Sequence, residues 1–183
     1  MSANARPPIP PADAIEALAL RHAETQRRCE ALLPLLAPAG AAPAPAPAAR
    51  ATAAAELLAY FDGAAQRARE AQEHGVFPAL IESMAGSDAV CLRGMTDGLR
   101  DERRRLDGIW RARLRPALAQ LAAHAPATID EAAARAWVAD FQRYLQAADE
   151  ELLPMAARLL TDEALAELGE RWPPESIAPG ALP

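Results

Sequence analysis

The chain has 183 residues, a net charge of −6, 51% apolar and only 4% aromatic residues, and all 19 of its basic residues are arginine. That length suits one well-buried domain and is short for two. The acidic balance argues against a general binder of nucleic acid or of an anionic membrane surface, and no apolar run approaches the roughly 20 residues needed to cross a bilayer. The opening MSANARPPIPP has no apolar stretch of the kind a secretory signal carries, so a soluble, cytoplasmic protein is expected. Ala, Leu, Glu and Arg are abundant and favour helix, and no segment sustains apolar/polar alternation, so the expected fold class is all-α. Cys29 and Cys91 show no C-x-x-C or zinc-type spacing and read as two separate buried or semi-buried thiols.

In chain order, a Pro-rich lead (1–11) precedes a domain over 12–171. The first helix is expected to start near Pro11, with Asp13 and Glu16 matching the positive end of its dipole. Its apolar stripe runs Leu18, His22, Thr25, Cys29, Leu32, Leu33 and Leu36, and Pro34 should kink or fray the last turn. The Ala/Pro segment at 37–50, including PAGAAPAPAPAA, reads as a semi-rigid loop inside the domain. The second helix, expected from an N-cap at Thr52, presents Leu58, Phe61, Ala65, Ala68, Gln72 and Val76. A turn around Gly86–Asp88 leads to the third, with Leu92, Met95, Leu99, Arg103, Leu106, Trp110, Leu114, Ala117 and Leu121 in register. The fourth begins after Thr128 and shows Trp137, Phe141, Tyr144, Ala148, Leu152 and Leu159. A short helix, Asp162 to Gly169, should pack on the end, and 172–183 reads as a disordered tail. Four long amphipathic helices with mostly short turns give an up-down-up-down bundle.

Each stripe carries a polar residue among apolar ones: His22, Gln72, Arg103 and Tyr144. An unpaired polar group in a core costs several kcal/mol, so four at similar depth point to a polar layer. The plainer alternatives are a core histidine bonded to a neighbour, a Gln72 partly exposed near a frayed end, and a core tyrosine with a satisfied hydroxyl. Arg103 is the hardest to dismiss, since mid-helix it has a long route to water. Its guanidinium should bond Gln72, Tyr144 or a carboxylate just off the stripe, with Glu73, Asp140 and Asp149 as candidates. Arg104 and Arg105 lie off the stripe as solvated charges. The second and fourth helices also end alike, in AREAQEHGVFPAL (68–80) and YLQAADEELLPMA (144–156). Each has acidic residues, two apolar residues and then a proline, Pro78 or Pro154, which should bend the helix.

Taken with LRHAETQRRCEALLPLL (20–36) and RDERRRLDGIW (100–110), these segments resemble the hemerythrin-like (HHE cation-binding) family. The family places His-x-x-x-Glu before an apolar pair and proline on its second and fourth helices, and further histidines on the first and third. The i, i+4 spacing lets both side chains grip one metal pair. The resemblance covers roughly Asp13 to Gly169 and implies a four-helix bundle around a di-iron centre. Only His22 matches a family ligand. The second-helix pair is Ala68 and Gln72, the third-helix histidine is Arg103, and the fourth-helix pair is Tyr144 and Ala148. Alanine ligates nothing, neutral glutamine is a poor ligand, and arginine is a fixed cation.

The expectation is therefore a bundle without its di-iron site, with no cofactor and no enzymatic activity, serving as a binding, sensory or structural module for a protein or small-molecule partner. The alternative is an iron-binding protein that combines His22 with rebuilt acidic ligands for redox or oxygen sensing. Glu24, Glu70, Glu73, His74, Asp149 and Glu150 are the spare ligands, although an acidic helix face is more often merely solvated. A third option is an enzyme using Tyr144 as acid and Arg103 as anion clamp. No Ser-His-Asp pattern, phosphate-binding glycine loop or H-E-x-x-H helix is present.

Overall fold

The structure is a computed structural model that describes residues 13–36, 46–84 and 87–177. Helix α1 spans Ala14–Leu32. Its N-cap is Asp13, whose carboxylate accepts from the backbone N–H groups of Ile15 at 2.8 Å and Glu16 at 2.9 Å, satisfying donors that a helix start leaves open. Pro34 turns the continuation into a 3₁₀ segment, Leu33–Leu36. Helix α2 covers 47–82. It begins at Pro47, earlier than the Thr52 cap expected from sequence, because proline's fixed φ and missing N–H suit a first helical position. Thr52 instead lies within the helix and donates its hydroxyl to Ala48 O. The last residues of the expected 37–50 loop are thus helical, while 37–45 and the lead through residue 12 lie outside the described residues.

Helix α3 covers 87–122 and α4 covers 131–159. Asp130 caps α4 through Ala133 N–H at 3.0 Å. Thr161 caps α5, Asp162–Arg171, and a further turn, α6, spans Pro174–Ile177. The first half of α2 lies along the last part of α3, Ser87–Ile109 lies along Glu131–Ala147, and α1 packs on both α4 and α2. The chain is an all-α bundle of four long helices with a short C-terminal helix, each long helix beside the next and the fourth beside the first.

The long helices are not uniform. π-turns interrupt them at Tyr60–Ala64, Gln72–Val76, Trp110–Leu114 and Ala148–Leu152. Three of these end two residues before a proline: Pro78, Pro116 and Pro154. The residue before each proline donates its N–H five residues back, Phe77 to Gln72, Arg115 to Trp110 and Leu153 to Ala148. A widened turn moves the carbonyls away from a pyrrolidine ring that would otherwise clash with them, so the helix continues past the proline. The bends expected at Pro78 and Pro154 therefore take the form of π-turns, and each begins at a position singled out in the sequence, Gln72 or Ala148.

The apolar core falls into two clusters. One gathers Cys29, Leu32, Leu57, Phe61, Leu106, Trp110, Leu118, Trp137 and Phe141 with their neighbours, knit by ring contacts among Phe61, Trp110, Trp137 and Phe141. The other gathers Leu18, Ala68, Phe77, Leu80, Leu152, Ala156 and Ile177 among others. Along α1, His22 and Thr25 stand between Leu18 of the second cluster and Cys29 of the first, and along α4 Ala148 stands between Leu145 of the first and Leu152 of the second.

The expected tail from residue 172 differs in part. Ile177 is buried, and its carbonyl accepts from Arg21 Nε at 2.5 Å. Residues 178–183 lie outside the described part. Trp172 sits where a Cβ on Gly75 would come within 2.7 Å of its ring and 2.9 Å of Leu168, so this close approach needs glycine. Gly98, exposed in the interior of α3, has nothing near its Cβ position. Gly98→Ala should stabilise the protein by about 0.5–1 kcal/mol. Gly75→Ala should destabilise it, overpacking of about 1–3 kcal/mol outweighing the helix-propensity gain. Thermal melts of the two variants should move in opposite directions, and equal upward shifts would refute the packing at Gly75.

Candidate functional site

Among the described residues the buried polar and charged side chains are Arg21, His22, Thr25, Gln72, Glu73, Thr96, Arg103 and Asp107. Arg103, on α3, is 5% exposed. Its Nε donates to Asp107 Oδ1 at 3.0 Å and its Nη2 to the Ala65 carbonyl at 3.4 Å. The guanidinium also lies over the Phe141 ring at 4.9 Å and the Tyr144 ring at 6.0 Å, a cation–π arrangement that offsets part of its desolvation. The other oxygen of Asp107 accepts from Arg69 Nη1 at 2.9 Å. Arg69 Nε in turn donates to Glu73 Oε1 at 2.8 Å. Two arginines and two carboxylates from α2 and α3 thus form one electrically neutral chain, the arrangement in which buried charges are tolerated.

The remaining predicted positions cluster around this chain. Tyr144 donates its hydroxyl to Gln72 Oε1 at 3.2 Å, tying α4 to α2. Gln72 is 2% exposed, not frayed, and its Nε2 has no hydrogen-bond partner among the described residues. Ala68 and Ala148 are buried and supply no polar atom beyond the backbone. His22 Nδ1 lies 2.6 Å from Asp149 Oδ1, so α1 meets α4 one residue past Ala148. Burial pushes the Tyr144 hydroxyl above its usual range; Arg103 pulls it down, while Glu73 and Asp107 push it up. The hydroxyl therefore remains a donor at neutral pH. Tyr60 is raised for the same first reason, and its hydroxyl is 2.6 Å from Thr25 Oγ1.

All six positions are buried in the bundle, and of the partners expected for Arg103, Tyr144 is beside it through its ring, but the carboxylate is a different one. Arg103 pairs with Asp107, not with Glu73, Asp140 or Asp149. Asp140 binds Arg105 and Arg143, and Asp149 serves His22. Asp107 stands four residues after Arg103 on the same helix, a spacing that brings two side chains together. RRRLD carried that signal. Glu73, grouped above with a solvated acidic face, is buried because Arg69 neutralises it. Arg21 is buried as well, its Nε held by α6 and its guanidinium 5.7 Å from the Tyr60 ring. Glu70 and His74 are exposed, as are Arg104 and Arg105.

These side chains do not fit a metal pair. The layer offers an arginine and two alanines where donors are needed. Its carboxylates are already engaged by Arg69, Arg103 and His22, and Gln72 Oε1 accepts from Tyr144. Among the described residues no three His, Cys, Asp or Glu side chains form a group that could hold a metal ion. No helix of the described residues is long and apolar enough to cross a membrane. No protein-family model matches the chain, and no curated protein or solved structure is significantly similar to it.

The thiols separate by environment. Cys29 is buried, and burial pushes its thiol up to about 12, with Arg103 pulling the other way. Cys91 is exposed, less buried than the sequence suggested, and neither is in a disulfide. Iodoacetamide should modify Cys91 in the native protein and Cys29 only after unfolding, because the protonated, inaccessible thiol is a poor nucleophile. Rapid native labelling of Cys29, read by peptide mass spectrometry, would contradict this packing.

Arg103→Ala removes the Asp107 bond and the ring contacts and leaves a cavity, so it should cost about 2–4 kcal/mol. Arg104 is exposed and pairs only with exposed Asp101; Arg104→Ala should change stability by no more than about 0.5 kcal/mol. Urea melts giving equal losses for the two variants would show that Arg103 does not organise the layer.

Proposed function

We propose that this chain is a hemerythrin-like bundle whose iron-ligand positions have been rebuilt as a neutral polar layer, and that it works as a metal-free binding, sensory or structural module rather than an enzyme. The observation that carries this reading is the burial of Arg103 where the family places its third-helix histidine. A guanidinium held there by Asp107 opposes a metal cation and supplies the charge that the acidic side chains require. The paired π-turns beginning at Gln72 and Ala148 add support, since both start at positions aligned with family ligands. A cytoplasmic location and a protein or small-molecule partner, rather than nucleic acid or membrane, complete the proposal, in keeping with the acidic charge balance.

A second reading draws on the His22–Asp149 pair. An imidazole and a carboxylate 2.6 Å apart, the latter 44% exposed at its side chain, would offer two ligands to an iron or other divalent cation. Two ligands alone make a weak site. Under the principal reading, untagged protein grown in iron-replete medium and analysed by elemental and visible spectroscopy should carry substoichiometric iron and no oxo-bridge charge-transfer bands. Stoichiometric iron that disappears in His22→Ala would overturn it in favour of the second reading.

A further inference from the structure

On the outer side of the Gln72–Val76 turn, a cleft of about 380 Å³ separates the end of α2 from α5. Its apolar surface comes from Pro78, Ala79, Ala164, Leu168 and the Trp172 ring. Glu82, Glu167 and Arg171 line it together with the His74 imidazole, none in an ion pair among the described residues. Some i, i+4 pairs, such as Arg69–Glu73, Arg103–Asp107 and Glu131–Arg135, close into salt bridges, and others, such as Arg93–Asp97 and Asp107–Arg111, do not. Glu167 and Arg171 belong to the open pairs, so both remain available to a ligand in the cleft. Arg171 instead lies 4.5 Å over the Trp172 ring, leaving its guanidinium without a carboxylate.

The charges are ordered along the cleft. Gly75 touches Leu168 and Trp172, which sets the His74 end of α2 beside the Arg171 end of α5. Glu82 and Ser83 lie at the other end, where Thr161 completes the lining. His74 and Glu82 are about 12 Å apart along the helix axis. The C-terminal end of α2 and the N-terminal end of α5 meet there with opposite dipoles, so the acidic character of that end comes from the Glu82 carboxylate. An elongated ligand with an anion at one terminus and a cation at the other matches this polarity, and three extended residues span about 10–11 Å.

We propose that this cleft binds a short peptide of about three residues with free termini. Its carboxylate meets Arg171 and His74, its ammonium meets Glu82, and an apolar side chain rests on Pro78, Ala79 and Leu168. Glu167, one turn before Arg171, accepts from the peptide's backbone N–H groups. These four side chains lie outside the polar layer, so failure of the metal-free reading leaves this site untouched.

The test is calorimetric titration of the full chain with alanyl-leucyl-alanine, its N-acetyl form and its C-amide. The free tripeptide should bind saturably, and each cap should weaken binding about tenfold by deleting one charge-assisted contact. Arg171→Gln should abolish the difference between free and amidated peptide. Glu82→Gln should abolish the difference between free and acetylated peptide. Both residues are exposed, and circular dichroism checks that the variants stay folded. No saturable heat from the free tripeptide, or capped peptides binding the wild type as tightly as the free one, would overturn the proposal.

Discussion

A buried guanidinium must be neutralised, and the rest of this bundle is arranged to neutralise Arg103. Taking that charge out of water costs several kcal/mol unless it is paired and hydrogen-bonded. Asp107 supplies the pairing, the Phe141 and Tyr144 rings supply the face, and Ala65 supplies a carbonyl from α2. Asp107 would then hold its second oxygen unmet, and Arg69 meets it. Arg69 brings Glu73 into the interior in turn. Each step leaves a group that only the next one satisfies, which is why the charged residues are buried together. Such a network contributes little net stability, but it is costly to break at any single member.

The layer also explains how the long helices can be so irregular without coming apart. A proline inside a helix removes one backbone bond and crowds the preceding turn. Here the π-turns at Gln72–Val76 and Ala148–Leu152 absorb that crowding, and they do so beside the layer. Tyr144 bonds Gln72 across the gap, and His22 reaches Asp149 within the second of these turns. Side-chain bonds between helices thus hold the bundle at the level where the backbone is widened. On the far flank, α6 closes over α1 through Ile177 and Arg21, so the C-terminal turn takes part in the fold.

Much of this was readable in the sequence, and the losses have physical causes. Stripes such as Leu18, His22, Thr25 and Cys29 were found because an unbroken α-helix keeps its 3.6-residue phase. Phase slips after two of the π-turns, each of which inserts about one residue per turn, although the stripe Ala65, Ala68, Gln72 and Val76 keeps its register past Tyr60–Ala64. Following Trp110–Leu114 the buried position is Leu118 rather than Ala117, and following Ala148–Leu152 the buried positions are Ala156 and Leu160 rather than Leu159. No propensity rule marks those slips, although the prolines two residues downstream did. The carboxylates expected beside Arg103 sit on other helices, whereas its partner Asp107 lies one turn along the same helix. Arg21 could not have been foreseen as buried, since its cover is a turn that composition alone assigns to a tail.

The dependence of the layer on the Arg103–Asp107 pair is open to direct measurement by a double-mutant cycle with Arg103→Leu, Asp107→Leu and the combined variant. Each single change leaves the four-membered network with one uncompensated charge, while the combined change removes both charges and leaves the Arg69–Glu73 pair. The singles should therefore lose far more stability than the pair, with a coupling of about 2 kcal/mol or more from urea melts. Additive losses, within about 0.5 kcal/mol, would mean that the two side chains do not depend on each other and that the bundle is held by its apolar clusters alone.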